Sequence, residues 1–174
     1  QTAPWNFDEN QIQDLKSKIE SIGTTFIKRK GVSINRGITT GLNKIFIVTE
    51  QQRIKLIQED ANSKEILLPV LKGANIKRFY IIEPKQYLVY TYTGINIEKY
   101  PAVFGYLKKY KNELEEVYEA KHGQKKWFEL RTCSYYNKFL EKKLVWTRLS
   151  NINAFAISKA GEFTVDSSSF AVSD

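Results

Sequence analysis

The sequence predicts an α+β fold: a twisted, mostly antiparallel set of short strands flanked by helices. Three observations lead there. Apolar residues recur at helical spacing near the N-terminus and again after Pro101. Between and beyond these stretches lie short runs of β-branched and aromatic residues, separated by turn formers. The composition, 42 % hydrophobic and 26 % charged over 174 residues, fits one globular domain with a sizeable core.

Each element has a local reason. Ile12, Leu15, Ile19 and Ile22 fall at steps of three and four, which gives a first helix one apolar face, and Gly23 stops it. "KIFIV" reads as a buried strand. Thr49 and Gln52 stand at capping-box spacing and start a short helix over "EQQRIKLIQED". "SKEILLPVLKG" is amphipathic but interrupted by Pro69, which predicts a short helix or turn ending at Gly73. "IKRFYII" and "YLVYTY" predict one strand each, with "EPKQ" as the turn between them. Pro101 suits a helix start, and "PAVFGYLKKYKNELEEVYEA" is the longest helix, striped by Phe104, Leu107, Leu114, Val117 and Tyr118. "KLVWT", "AFAIS", "EFTVD" and "SFAVS" are short strands, and "KAGE" is a hairpin turn with Gly161 at positive φ. No internal repeat or domain-length linker divides the chain. The organisation predicted is one domain over 1–174, with a helical lead-in over 1–24 and a core over 25–174. The start at Gln1 and the lack of Met lead to the expectation of a piece excised from a longer protein; a processed or tag-cleaved protein has the same look.

The net charge is +8 and the pI near 9.4, a surface suited to a polyanion, of which nucleic acid is the commonest. The charge is uneven. Between Glu20 and Glu50 there are five Lys or Arg and no acid. From Lys121 to Arg148 there are eight basic residues against Glu129 and Glu141. The long helix mixes both signs, so the excess sits in loops and strand edges, where phosphates and base edges can be reached. "RTCSYYNKF" and "TRLSNIN" add Arg, Asn and Tyr, the side chains that pair with guanine, pair with adenine, and stack or hold phosphate.

Catalytic chemistry is sparse. His122 reads as a surface histidine in a polar loop, and Cys133 as a buried structural thiol. One Cys and one His are too few for a structural zinc site, and one Cys fits a reducing compartment. No apolar run approaches the ~18 residues of a membrane span, and no signal peptide is visible. Gly37 and Gly41 lack the phosphate-loop pattern. No Asn-Pro-Pro-Tyr or Asp-Pro-Pro-Tyr element, which an amino-methyltransferase needs for a flipped base, is present. Glu83 and Lys85, with Asp60 upstream, match half of a Mg²⁺-dependent nuclease site, but Pro84 breaks the strand that such a site requires.

Seven stretches occur in an order that carries a resemblance. They are "RGITTGLNKIFIV", "LLPVLKGANIKRFYI", "YLVYTY", "INIEKYPAVFGYLKKYKNELEE", "KKWFELR", "KLVWTRLS" and "EFTVDSSSFAVS". From Ile34 onward the chain resembles the TaqI-like C-terminal specificity domain, the target-recognition part of type IIG restriction-modification enzymes and related DNA adenine methyltransferases. Gly37, Ile38, Thr40, Gly41 and Asn43 match the family's glycine loop. Lys72, Gly73, Ile76, Lys77 and Arg78 match its next element, with Ala74 and Asn75 where the family has Arg-Asp. Trp127, Leu130, the strand Lys143 to Trp146 and Asp166 match later positions; both tryptophans read as core. The resemblance implies double-stranded DNA as partner, and a separate catalytic domain in the same polypeptide that uses S-adenosylmethionine to methylate adenine. It implies Mg²⁺ as well where a nuclease is fused, and a bacterial or archaeal cytoplasm. It implies no cofactor in this fragment.

The chemistry of the side chains, not the family position, assigns roles. Arg131, Asn137, Lys138, Arg148, Asn151 and Asn153 are the expected base readers. Lys28, Arg29, Arg36, Lys72, Lys77, Arg78, Lys125 and Lys126 are the expected phosphate contacts. Two other readings stay open at this point: an RNA or single-strand binder using exposed tyrosines, and a nuclease using Glu83 and Lys85.

Overall fold

The structure, a computed structural model, describes residues 10–25, 28, 30–150 and 152–173. The chain divides into two compact units, residues 1–33 with 174, and residues 34–173. In the first unit, α1 (Asn10–Ile22) forms as its spacing predicts and ends where the Gly23 N–H donates to the Ile19 carbonyl. It buries none of its residues, and its apolar stripe is exposed, from Ile12 at 52 % to Ile22 at 80 %.

The second unit is α+β, built on two four-stranded sheets and a small hairpin. β2 (Ile47–Thr49), β6 (Gln86–Val89), β3 (Leu67–Leu71) and β9 (Thr164–Val165) form one sheet in that order. β1 (Ser33–Arg36), β10 (Ser169–Ser173), β7 (Lys143–Thr147) and β8 (Phe155–Ser158) form the other. β2 with β6, β3 with β6, β7 with β8 and β7 with β10 pair antiparallel, while β3 with β9 and the isolated bridge of Ile38 with Asp166 are parallel. One contiguous apolar core joins Val48, Leu67 and Leu88 of the first sheet to Val145, Ala156 and Ala171 of the second.

The elements with local signals appear as read. Thr49 and Gln52 close a full capping box at the head of α3 (Glu50–Glu59). Pro101 opens α4 (Pro101–Lys108). Gly161 adopts φ 71°. Elsewhere tertiary context decides. "KIFIV" splits: a single turn, α2 (Asn43–Phe46), buries Ile45 and Phe46, and only then does β2 begin. Pro69 lies inside β3, where the partner changes from β6, facing residues 67–69, to β9, facing 70–71. "IKRFYII" folds on itself as β4 (Ile76–Lys77) and β5 (Tyr80–Ile81). The long helix breaks into α4, α5 (Lys111–Glu115) and α6 (Tyr118–Lys121). The "KAGE" turn does not close a hairpin, because β8 pairs with β7 while β9 leaves for β3.

Gly37 is the joint between the sheets. Its N–H donates to the Ser169 carbonyl, and the next residue, Ile38, donates to the Val165 carbonyl. A Cβ on Gly37 would come within 1.9 Å of the Asp166 carbonyl oxygen, so only glycine allows the approach. Gly37 is buried against the β9–β10 turn, so its missing side chain serves this close packing.

Candidate nucleic-acid interface

Three distant segments converge on the turn between β9 and β10. The Asp166 carboxylate, buried, accepts from the Ser168 N–H at 3.0 Å and the Ser168 hydroxyl at 2.5 Å. The Ser168 oxygen in turn accepts from the Gly73 N–H at 2.9 Å, which pins the turn after β3. The Arg148 N–H donates to the Ser168 carbonyl, which pins the end of β7. Lys72, Gly73, Ala74, Ile76 and Lys77 therefore line one side, and Thr147, Arg148, Leu149, Ser150, Ile152 and Ala154 the other, of an open cleft of about 750 Å³, with Asn43 also lining it. Asn43 is held by a hydrogen bond from the Thr40 hydroxyl to its Oδ1, 2.6 Å.

The cleft is cationic. Lys72, Lys77 and Arg148 line it, and none makes an ion pair among the described residues. Arg78, exposed, reaches across: its Nε donates to the Asn153 carbonyl at 3.4 Å. Asp166 is the one acid in the lining, and it is buried beneath Ser168. Unpaired positive charge in a concavity concentrates anions there. Five of the predicted residues (Lys72, Lys77, Arg78, Arg148 and Asn153) thus come together from two segments some seventy positions apart.

Lys28 is exposed in the N-terminal unit, and Arg29 and Asn151 lie outside the described residues. Arg36 projects from β1 and is exposed. Asn137 is exposed on a 3-10 turn over 136–140. Lys126 is exposed, with its ammonium 5.6 Å from the Phe128 ring centre. Arg131 is held by Glu119, Nε to Oε1 at 2.5 Å, and Lys138 by Glu141 at 3.0 Å. Arg131 and burial act on Glu119 in opposite directions, and the net effect lowers its pKa. Lys125 is corrected as a phosphate contact. It is buried, its ammonium donates to the Glu129 carbonyl at 2.5 Å, and burial lowers its pKa. The Glu129 carboxylate beside it holds the Gly94 and Lys126 N–H groups. Lys143, in the last basic stretch, is also buried. It bonds the Glu141 carbonyl and the Ser158 hydroxyl, and burial drops its pKa to about 8.

Ser168 was not among the predicted residues; a serine in "DSSSF" gives no signal until the turn brings it over Gly73. No group of three or more His, Cys, Asp or Glu that could hold a metal occurs among the described residues. Asp60 caps the 3-10 turn over 61–65, accepting from the Asn62 N–H and the Ser63 hydroxyl. No helix among the described residues is long and apolar enough to cross a membrane.

No protein-family profile matches the chain, and no curated protein matches it. The solved structures give a fold: that of a region within a restriction-modification enzyme. One solved structure with this fold is that of MmeI, a type IIL restriction-modification enzyme in complex with DNA, with TM-score 0.59 and 12 % identity. The likeness covers 82 % of this chain and 19 % of that enzyme, so the chain spans about a fifth of its length. At that identity the similarity is one of fold.

Proposed function

We propose that this chain is a sequence-specific duplex-DNA recognition module of a restriction-modification enzyme, of the TaqI-like specificity type. The observation that carries the reading is the cationic cleft. Lys72, Lys77 and Arg148, without ion-pair partners among the described residues, meet on a fold shared with an enzyme solved on DNA. In this reading Lys72, Lys77 and Arg78 contact phosphates, while Arg148 and Asn153 read base edges. Arg36 and Asn137, both exposed, are further contacts, with Asn151 as a further base reader. Methyl transfer from S-adenosylmethionine to adenine belongs to a catalytic domain elsewhere in the longer polypeptide, together with any Mg²⁺-dependent cleavage.

The test is binding against salt. The chain is titrated against a random-sequence duplex pool, and the bound fraction is enriched and sequenced. The expected result is a short preferred site, tighter binding to duplex than to single-stranded RNA, and an affinity that falls steeply with salt, each phosphate contact adding about 0.9 to the log–log slope. Stronger retention of single-stranded RNA overturns the reading in favour of an RNA binder.

A further inference from the structure

Phe79 is the feature that the fold does not explain. It is 80 % exposed and adopts φ 73°, the one positive-φ residue other than glycine among the described residues. It occupies the second central position of the two-residue turn between Lys77 and Tyr80, a place that Gly or Asn takes without strain. A phenylalanine there is uphill twice, once for its backbone and once for its exposed ring. The turn is nevertheless held firmly. The Phe79 N–H donates to the Phe155 carbonyl at 2.8 Å, and the neighbouring Arg78 donates to the Asn153 carbonyl. The ring is thus carried at the tip of an anchored hairpin, one residue from Arg78 and two from Lys77 in the cationic cleft. On the facing wall Leu149 is 87 % exposed.

We propose that Phe79 is a wedge that enters the base stack of bound duplex DNA, opening one base step beside the residues of the cleft. Proteins that bend or open duplexes insert apolar side chains in this way, flanked by cations that hold the phosphates on either side. The strained turn points the ring away from the protein and keeps it from collapsing onto the surface. The inference rests on the duplex-binding reading above, and adds to it the residue that deforms the DNA rather than reads it.

The experiment uses the whole chain, wild type, Phe79→Gly and Phe79→Trp, with a duplex enriched by the wild type and carrying 2-aminopurine at each position in turn. Phe79→Gly relieves the backbone, so it melts no lower than the wild type. It nonetheless binds the duplex roughly tenfold or more weakly, as loss of one stacking contact predicts. One position of 2-aminopurine brightens on binding wild type and Phe79→Trp, and stays dark with Phe79→Gly. Unchanged affinity and brightening with Phe79→Gly overturns the wedge and leaves duplex binding standing. So does a wild type that binds tightly but brightens no position, which assigns the ring to a surface contact. A wild type that enriches no duplex overturns both this proposal and the reading on which it rests.

Discussion

Two cation-rich regions look alike in sequence and differ in the folded chain. Residues 121–143 hold the densest basic run, yet there Arg131 pairs with Glu119, Lys138 pairs with Glu141, and Lys125 and Lys143 are buried on carbonyls and a hydroxyl. Residues 72–78 and 147–153 are less conspicuous, but there Lys72, Lys77 and Arg148 face a cleft and form no ion pairs among the described residues. Charge counted along a chain is therefore not charge available to a ligand. An ammonium already bonded to protein oxygen must break that bond to meet a phosphate, whereas an unpaired one in a concavity already attracts it.

The largest effect attacks the joint beneath the cleft. Gly37→Ala places a methyl against the Asp166 carbonyl oxygen at a backbone that cannot yield, which costs roughly 3 kcal/mol or more in urea unfolding. Because the Asp166 turn anchors both walls, duplex binding falls with it, and a fully stable Gly37→Ala protein breaks the account of how the cleft is held. Next is Lys143, whose buried ammonium is a burden on the other region. Its folded pKa of about 8 lies below the ordinary 10.5, so between those values the unfolded chain binds more protons. Stability therefore rises with pH through that window, by up to about 3 kcal/mol. Above the ordinary tyrosine value of 10 it turns down again, because burial holds Tyr90 and Tyr136 protonated in the fold. Urea midpoints from about pH 7 to about pH 11 should trace this rise and fall, and Lys143→Met should shrink the rise to the part that buried Lys125 supplies. The smallest effect separates the regions directly. Arg148→Ala weakens the preferred duplex by about 1–3 kcal/mol. Arg131→Ala, which strips a largely buried Glu119 of its partner, lowers stability by about 1–3 kcal/mol and leaves the salt slope unchanged. The reverse ranking in duplex affinity would erase the distinction between the two regions.

Local chemistry was legible in the sequence. The Thr49–Gln52 box, Pro101 at a helix start and Gly161 at positive φ need only their neighbours. What depends on distant partners was not. Pro69 reads as a breaker because nothing nearby reveals that β3 changes partner there. Ile45 and Phe46 open a continuous apolar run like that of a buried strand, yet one helical turn buries both. For the candidate site, the residue types were found but not their grouping. Arg78 and Asn153 were both expected, while their contact across the cleft depends on β4, β5 and β8 packing together. The burial of Lys125 is equally silent, since a lysine in "GQKKW" looks solvated until Glu129 turns its carbonyl toward it.

The order of strands has a consequence for synthesis on the ribosome. β10 lies between β1 and β7, and β9 completes the sheet of β2, β6 and β3, so residues 164–173 are needed by both sheets at once. Until they leave the exit tunnel, the inner edges of β7 and β3 have no neighbour, and the apolar side chains along them stay open to other nascent chains. Such late, long-range closure makes folding slow and favours capture by chaperones.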